Sequence, residues 1–179
     1  MAGKINVENA LAASVAAHLN GIEAAEIKAA IASFKGVKRR LEYIIKTNDL
    51  VYMDDYAHHP EELKASIQSV KELYPDKKVC GIFQPHLYSR TRDFLTDFAN
   101  SLALLDQLIL LEIYPAREEP IEGVTSQLLL EKVPLQNKIL LQKDALIPYL
   151  QNHKPQVLIT LGAGDIDRFV EPIKQALSC

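Results

Sequence analysis

Residues 7–19 and, beyond Gly21, residues 24–33 are rich in small apolar side chains of strong helical propensity, a pattern that predicts two helices packed on one another. A helical hairpin of this length cannot close a core by itself, so the opening of the chain reads as the tail of a larger unit and the chain as a fragment. After Gly36 the pattern changes. Apolar runs at 41–46 and 50–55, with Thr47, Asn48 and Asp49 between them, predict a hairpin. Helical and strand patterns then alternate: helices at 60–74, 89–105, 126–132 and 144–151, strands at 78–83, 107–112, 138–141 and 156–161, and a last helix from Asp165. That rhythm predicts an α/β fold, a Rossmann-like, mostly parallel sheet with flanking helices, preceded by the short helical segment. The apolar runs CGIF, LILL and VLITL suit strands covered on both faces. A domain boundary is expected near residues 35–38, and no internal repeat is evident.

Composition narrows the partners. Of 179 residues 48% are hydrophobic, enough for one substantial core, and Lys+Arg 20 against Asp+Glu 23 leaves a net charge of -3. With no basic field to hold a phosphate backbone, nucleic acid is not an expected partner. Cys80 and Cys179 lack the spacing of a metal or redox centre, which points to a reducing cytoplasm and to no metal site. No stretch approaches the roughly 18 apolar residues of a spanning helix, so neither export nor a membrane partner is expected.

In a parallel sheet, the loops after the carboxyl ends of strands face ligands, and three of them concentrate polar groups. Asp54, Asp55, Tyr56, His58 and His59, closing on Pro60, put two carboxylates, a phenol and two imidazoles at one strand end. Pro60 fits the first turn of a helix, and Glu61 and Glu62 fall where a helix amino terminus favours negative charge. Adjacent side chains diverge, so one histidine is expected to face a ligand and the other to pack or meet solvent; His58 is favoured for the first role. Any one of these residues alone reads equally well as a cap or a solvated group.

The second loop carries His86, Arg90 and Arg92 into a helix start. Positive charge there opposes the macrodipole unless an anion is held, and a carboxylate or phosphate is the natural guest. The alternative is that either arginine pairs with Asp93 or another acid. In the third loop, Gly162-Ala163-Gly164-Asp165 offers bare backbone without the full GxGxxG spacing; its glycines read as tight packing and Asp165 as a helix cap. His18, His153 and the run Arg117-Glu118-Glu119 read as structural or solvated. The chain has no GxxxxGKS or GxxxxGKT loop to grip the phosphates of ATP.

The segments GKINVENALAA, FKGVKRRLE, DDYAHHPEEL, FQPHLYSRTRDF and LGAGD stand in the order and spacing of the Mur ligases, and on them the chain resembles that family over essentially its whole length. The resemblance implies that residues 1–35 correspond to the helical tail of the family's central ATP-binding domain and 36–179 to its carboxy-terminal Rossmann-like domain. It further implies an ATP-dependent, amide-forming enzyme of peptidoglycan precursor synthesis. ATP, with Mg2+ held upstream of this chain, would convert the lactyl carboxylate of UDP-N-acetylmuramate to an acyl phosphate, which the amine of L-alanine attacks.

On the same likeness Asn9 would contact adenine, with Arg40 and Asp55 near the base and ribose. Tyr56, His58, His86 and Arg90 would surround the amino acid, Arg90 holding its carboxylate and His58 lying with it nearest the chemistry. Three departures stand out: Ile5 where many relatives have His, Leu87 where some have Arg, and Ala57 for the commoner Gly. With the phosphate loop, the magnesium ligands and the sugar-nucleotide domain upstream, the chain alone is not expected to catalyse. Three other readings stay open: a ligase that recycles murein tripeptide onto the same acceptor, a free-standing α/β module that binds without catalysis, and a hydrolase using Asp54 or Asp55 with His58.

Overall fold

The computed structural model describes residues 3–178, so the readings on Cys179 and on the Ile5 side chain fall outside the described residues. α1 (Lys4–Leu19) and α2 (Ala24–Ser33) form the expected hairpin and turn at Gly21, whose φ of 84° suits a residue without Cβ. Glu23 and Glu26 close α2 with a reciprocal capping box. Val7, Leu11, Val15 and Leu19 recur every fourth residue along α1 and stay 50–79% exposed, an apolar stripe turned away from the rest of the chain.

The next elements are β1 (Glu42–Lys46), β2 (Val51–Asp55), α3 (Pro60–Leu73), β3 (Val79–Phe83), α4 (Tyr88–Asp93), α5 (Leu95–Leu102) and β4 (Gln107–Leu111). They are followed by α6 (Ser126–Lys132), β5 (Lys138–Leu141), α7 (Lys143–Asn152), β6 (Val157–Leu161) and α8 (Val170–Leu177). The six strands make one sheet in the order β1-β2-β6-β3-β4-β5. β1 pairs antiparallel with β2, as the expected hairpin, and all other pairings are parallel.

Strand side chains alternate between two buried faces, as the pleat dictates. Met53, Phe83, Leu108, Leu110 and Ile159 pack with Leu63, Ile67, Phe98 and Leu129, which come from α3, α5 and α6. Tyr52, Ile82, Ile109 and Leu158 pack with Leu146, Leu150, Ile173 and Leu177 from α7 and α8. Each such fully buried Leu, Ile or Phe contributes about 1.5–3 kcal/mol of apolar transfer, which is why the central strands are mostly apolar, with the polar pair Asp54 and Asp55 confined to the carboxyl end of β2. Cys80 lies in this core, and burial pushes its thiol up to about 12, leaving no reactive thiolate at neutral pH.

Two helices differ from expectation. The segment 89–105 is divided: Phe94 leaves helical dihedrals at φ -116° and ψ 24°, separating α4 from α5. The last helix opens as a 3-10 turn, Asp165–Phe169, before α8. Its N-cap is Gly164 with no side-chain cap bond, so Asp165 is not the cap that the sequence indicated.

The connection through α7 carries the chain back past β4 and β3 and inserts β6 between β2 and β3. Strand order reverses at that point, and such a reversal opens a crevice beyond the carboxyl ends of the strands. Backbone bonds lace its loops together: Gln84 N–H to Leu161 O, Gly162 N–H to Asp55 O, Leu87 N–H to Tyr114 O and Tyr114 N–H to Pro85 O.

Candidate functional site

The loop after β2 divides its polar groups between the two faces of the sheet, as neighbours in a strand must. Asp55 faces α3 and accepts the N–H groups of Leu41 and Ala57, each at 2.8 Å. Burial raises its carboxyl above the ordinary carboxylate value, and those two N–H bonds offset part of the rise. Asp54 faces the other way, taking Thr160 Oγ1 at 2.6 Å and Arg39 Nε at 3.0 Å; burial raises its carboxyl too, against the pull of Thr160 and Arg39. Arg39 also donates to Gly162 O at 2.6 Å and lies over the Tyr56 ring, 5.0 Å from its centroid.

The two histidines separate cleanly. His59 is the N-cap of α3, shares a capping box with Glu62, and sets its ring edge-on against Phe94 at 4.7 Å. His58 turns to the crevice, edge-on to Tyr56 at 5.1 Å and to His86 at 6.1 Å.

His86, after β3, stacks on Tyr114, from the loop after β4, with ring centroids 5.7 Å apart. Burial, then the charges of Arg90 and His58, hold its imidazole below the ordinary value. Leu87 follows at φ 75°, a conformation costly for a branched side chain and held by its bond to Tyr114 O. α4 begins there and is capped from outside: Glu118 accepts the N–H and hydroxyl of Ser89. Among the described residues, two buried polar atoms in this region lack a hydrogen-bond partner, Nδ1 of His86 and Nη1 of Arg90. Arg92 instead is exposed and pairs with Asp93 at 2.8 Å.

The loop after β6 is a packing device. A Cβ on Gly164 would stand 2.6 Å from Gln84 Oε1 and 2.8 Å from Tyr114 Cβ, and one on Gly162 would stand 2.9 Å from Gln84 O. Gln84, fully buried, donates to Asp165 at 2.8 Å and accepts the Ile166 N–H at 3.0 Å. Asp165 binds Lys143 Nζ at 2.6 and 2.7 Å; burial raises its carboxyl, but the bonds from Lys143 and Gln84 outweigh it and the net direction is down.

On the α3 side a cavity of about 650 Å³ opens between the α1–α2 hairpin, the 37–41 segment and α3. Asn9, Arg40 and Asp55 line it together, beside the apolar Ile31 and Phe34 and the carboxylate of Glu62. Arg39 and Leu41, flanking Arg40, have φ of 59° and 45°, left-handed values that cost on the order of 1 kcal/mol or more per residue. The Arg39 guanidinium and the bond from Leu41 N–H to Asp55 hold them.

The structure thus brings Tyr56, His58, His86 and Arg90 to the crevice edge and Asn9, Arg40 and Asp55 to one cavity. Asp55 reaches that cavity with both oxygens already accepting backbone N–H groups. Sequence reasoning missed Tyr114, and it took Glu118 for a solvated residue; both lie in a loop with no apolar period, far from α4 in sequence. It also missed Arg39, indistinguishable in sequence from Arg40. Among the described residues no group of three or more His, Cys, Asp or Glu could hold a metal ion, and no helix is long and apolar enough to cross a membrane.

Curated relatives include UDP-N-acetylmuramate–L-alanine ligases of Cytophaga hutchinsonii, 57% identical over 174 residues, and Porphyromonas gingivalis strain W83, 57% identical over 175. Both alignments take in 97% of this chain, which spans 37% and 38% of the respective relatives' lengths. Among solved structures, the UDP-N-acetylmuramate–alanine ligase of Thermotoga maritima superposes with a TM-score of 0.79 at 26% identity, over 99% of this chain and 39% of that one. A murein peptide ligase of Psychrobacter arcticus superposes with a TM-score of 0.66 at 25% identity, over 99% and 38%. The family model described as Mur ligase, glutamate ligase domain, matches residues 39–164, more than half of the sequence, and the chain belongs to that family.

Proposed function

We propose that this chain is the carboxy-terminal part of an ATP-dependent ligase that joins L-alanine to UDP-N-acetylmuramate in peptidoglycan precursor synthesis. In this reading residues 1–35 close the ATP-binding domain and 36–179 form the carboxy-terminal domain. The observation that carries it is the pair of buried, unpartnered atoms at the crevice, His86 Nδ1 and Arg90 Nη1. An unsatisfied buried polar atom costs about 1–3 kcal/mol, more when charged, and an amino-acid carboxylate supplies the acceptor that the guanidinium lacks. Tyr56 and His58 then border the amino end of the same guest. The identity of that amino acid is taken from the relatives, whose names specify L-alanine.

The cavity lined by Asn9, Arg40 and Asp55 fits the base and ribose of ATP: Ile31 and Phe34 offer apolar walls, Asn9 an amide, and Asp55 a remaining lone pair on each carboxylate oxygen. ATP, with Mg2+ bound by residues outside this chain, would supply the phosphoryl group that activates the sugar's lactyl carboxylate. This chain's residues would bind and orient: Arg90 and His86 the amino-acid carboxylate, His58 the amine, Arg40 and Asn9 the nucleotide. Because ATP and the nucleotide sugar are its substrates, the reaction is assigned to the cytoplasm.

The test is a hybrid ligase in which this chain replaces the matching carboxy-terminal segment of the Cytophaga hutchinsonii relative. Phosphate release from ATP that depends on both UDP-N-acetylmuramate and L-alanine, with none from this chain alone, is the expected result. Preference for the murein tripeptide would move the assignment to a recycling ligase. A folded hybrid silent with both would leave only a binding module.

A further inference from the structure

Glu62 lies between the residues assigned to the amino acid and those assigned to the nucleotide, and one oxygen of its carboxylate is used three times. Oε2 accepts the backbone N–H groups of His58 at 3.0 Å and His59 at 3.2 Å, and it stands 3.3 Å from His58 Nδ1. The same ring nitrogen lies 3.0 Å from the carbonyl oxygen of Tyr56. A carbonyl oxygen and an ionised carboxylate are acceptors only. Burial works to raise the Glu62 carboxyl, but the His58 N–H, the His58 ring and the His59 N–H together bring it below its ordinary value, so it is ionised at neutral pH.

A lone pair on Nδ1 would face two acceptors and repel both, whereas a proton on Nδ1 serves both. Both of those contacts are made by Nδ1, and among the described residues the second ring nitrogen, Nε2, makes no hydrogen bond. We infer that Glu62, together with the Tyr56 carbonyl, fixes His58 as its Nδ1–H tautomer and so makes Nε2 the acceptor for the amino group of the incoming amino acid.

The inference rests on the proposed ligase reading for the identity of the guest. In the step it assigns, the α-ammonium group gives one proton to Nε2. An N–H bond of the ammonium breaks, the Nε2–H bond forms, and the electron pair stays on the amine nitrogen, free to attack the activated carboxylate. The imidazolium that results has Glu62 beside its Nδ1–H, so the new charge is met without movement. His58 touches the substrate in this scheme; Glu62 acts through it and is a positioning residue, as carboxylates that orient an imidazole commonly are.

Two readouts test this. Ring-15N-labelled chain, at a pH where its histidines are neutral and with His58 assigned through a His58→Gln variant, is expected to show a protonated Nδ1 and an unprotonated Nε2 at His58. Glu62→Gln keeps an oxygen to cap α3, but its amide can also donate to Nδ1. That variant is expected to shift His58 toward the Nε2–H tautomer and, in the hybrid ligase, to lower kcat/KM for L-alanine about tenfold or more while the KM for ATP stays within about twofold. An Nε2–H signal in the unmutated chain overturns the inference, as does a Gln variant with unchanged kcat/KM. If the unmutated hybrid shows no L-alanine turnover, the ligase reading fails, whereas the tautomer measured in this chain still decides the geometry at His58.

Discussion

His86 shows how a single side chain links site and stability. Burial, then Arg90 and His58, keep its imidazole below the ordinary value, so the unfolded chain, titrating near 6.5, binds its proton first as pH falls. Between the folded and unfolded values the unfolded state holds more protons, and stability therefore rises with pH. The contribution is fully present above about 6.5 and is lost as pH drops toward the folded value. Urea midpoints measured from pH 5 to 7.5 should fall with acidity in the unmutated chain and fall less steeply in His86→Gln; equal slopes would contradict the assignment.

Glu118 offers a second test at this scale. It holds Ser89 and hence the start of the helix that carries Arg90, so in the hybrid ligase Glu118→Gln should raise the KM for L-alanine several-fold with little change in that for ATP. Some residue roles were legible beforehand. Divergence of neighbouring side chains indicated that His58 and His59 point to different surroundings, without fixing which takes which, and the Arg92–Asp93 pair was one of two alternatives in view. Others were not: Asp165 looked like a cap because cap and buried-network aspartates have the same local sequence, and only the distant Lys143 and Gln84 distinguish them.

At the scale of elements, every strand was visible in the apolar runs, because a sheet covered on both faces tolerates few polar residues in its centre. Edge placement was less visible. That β6 enters between β2 and β3 follows from a long crossover, which leaves no local trace. The division of 89–105 also escaped, since Phe94 is neither Gly nor Pro and is an ordinary helical residue by propensity. There α4 answers to the Glu118 loop and α5 to the sheet, and Phe94 absorbs the difference while packing on His59. The glycine loop after β6 was rightly read as packing. Gly164→Ala should therefore destabilise by about 1–3 kcal/mol in thermal or urea unfolding, because its methyl would press on Gln84 and Tyr114 together. A loss below about 0.5 kcal/mol, the range of an unconstrained surface site, would mean that the loop yields easily.

For the whole molecule, the α1–α2 hairpin and the sheet domain meet around the cavity that holds Asn9, Arg40 and Asp55, while the crevice of His58, His86 and Arg90 opens at the strand ends. Glu62 borders the first and touches the second. The apolar stripe Val7, Leu11, Val15 and Leu19 remains exposed on α1. In the proposed ligase these are two half-sites with separate guests. Arg90→Ala and Arg40→Ala in the hybrid ligase, with KM for L-alanine and for ATP measured on each, separate them. A crossed pattern is expected: Arg90→Ala raises the KM for L-alanine about tenfold or more and leaves that for ATP within about twofold, and Arg40→Ala does the reverse. Parallel changes in both constants, or an L-alanine KM untouched by Arg90→Ala, would contradict it.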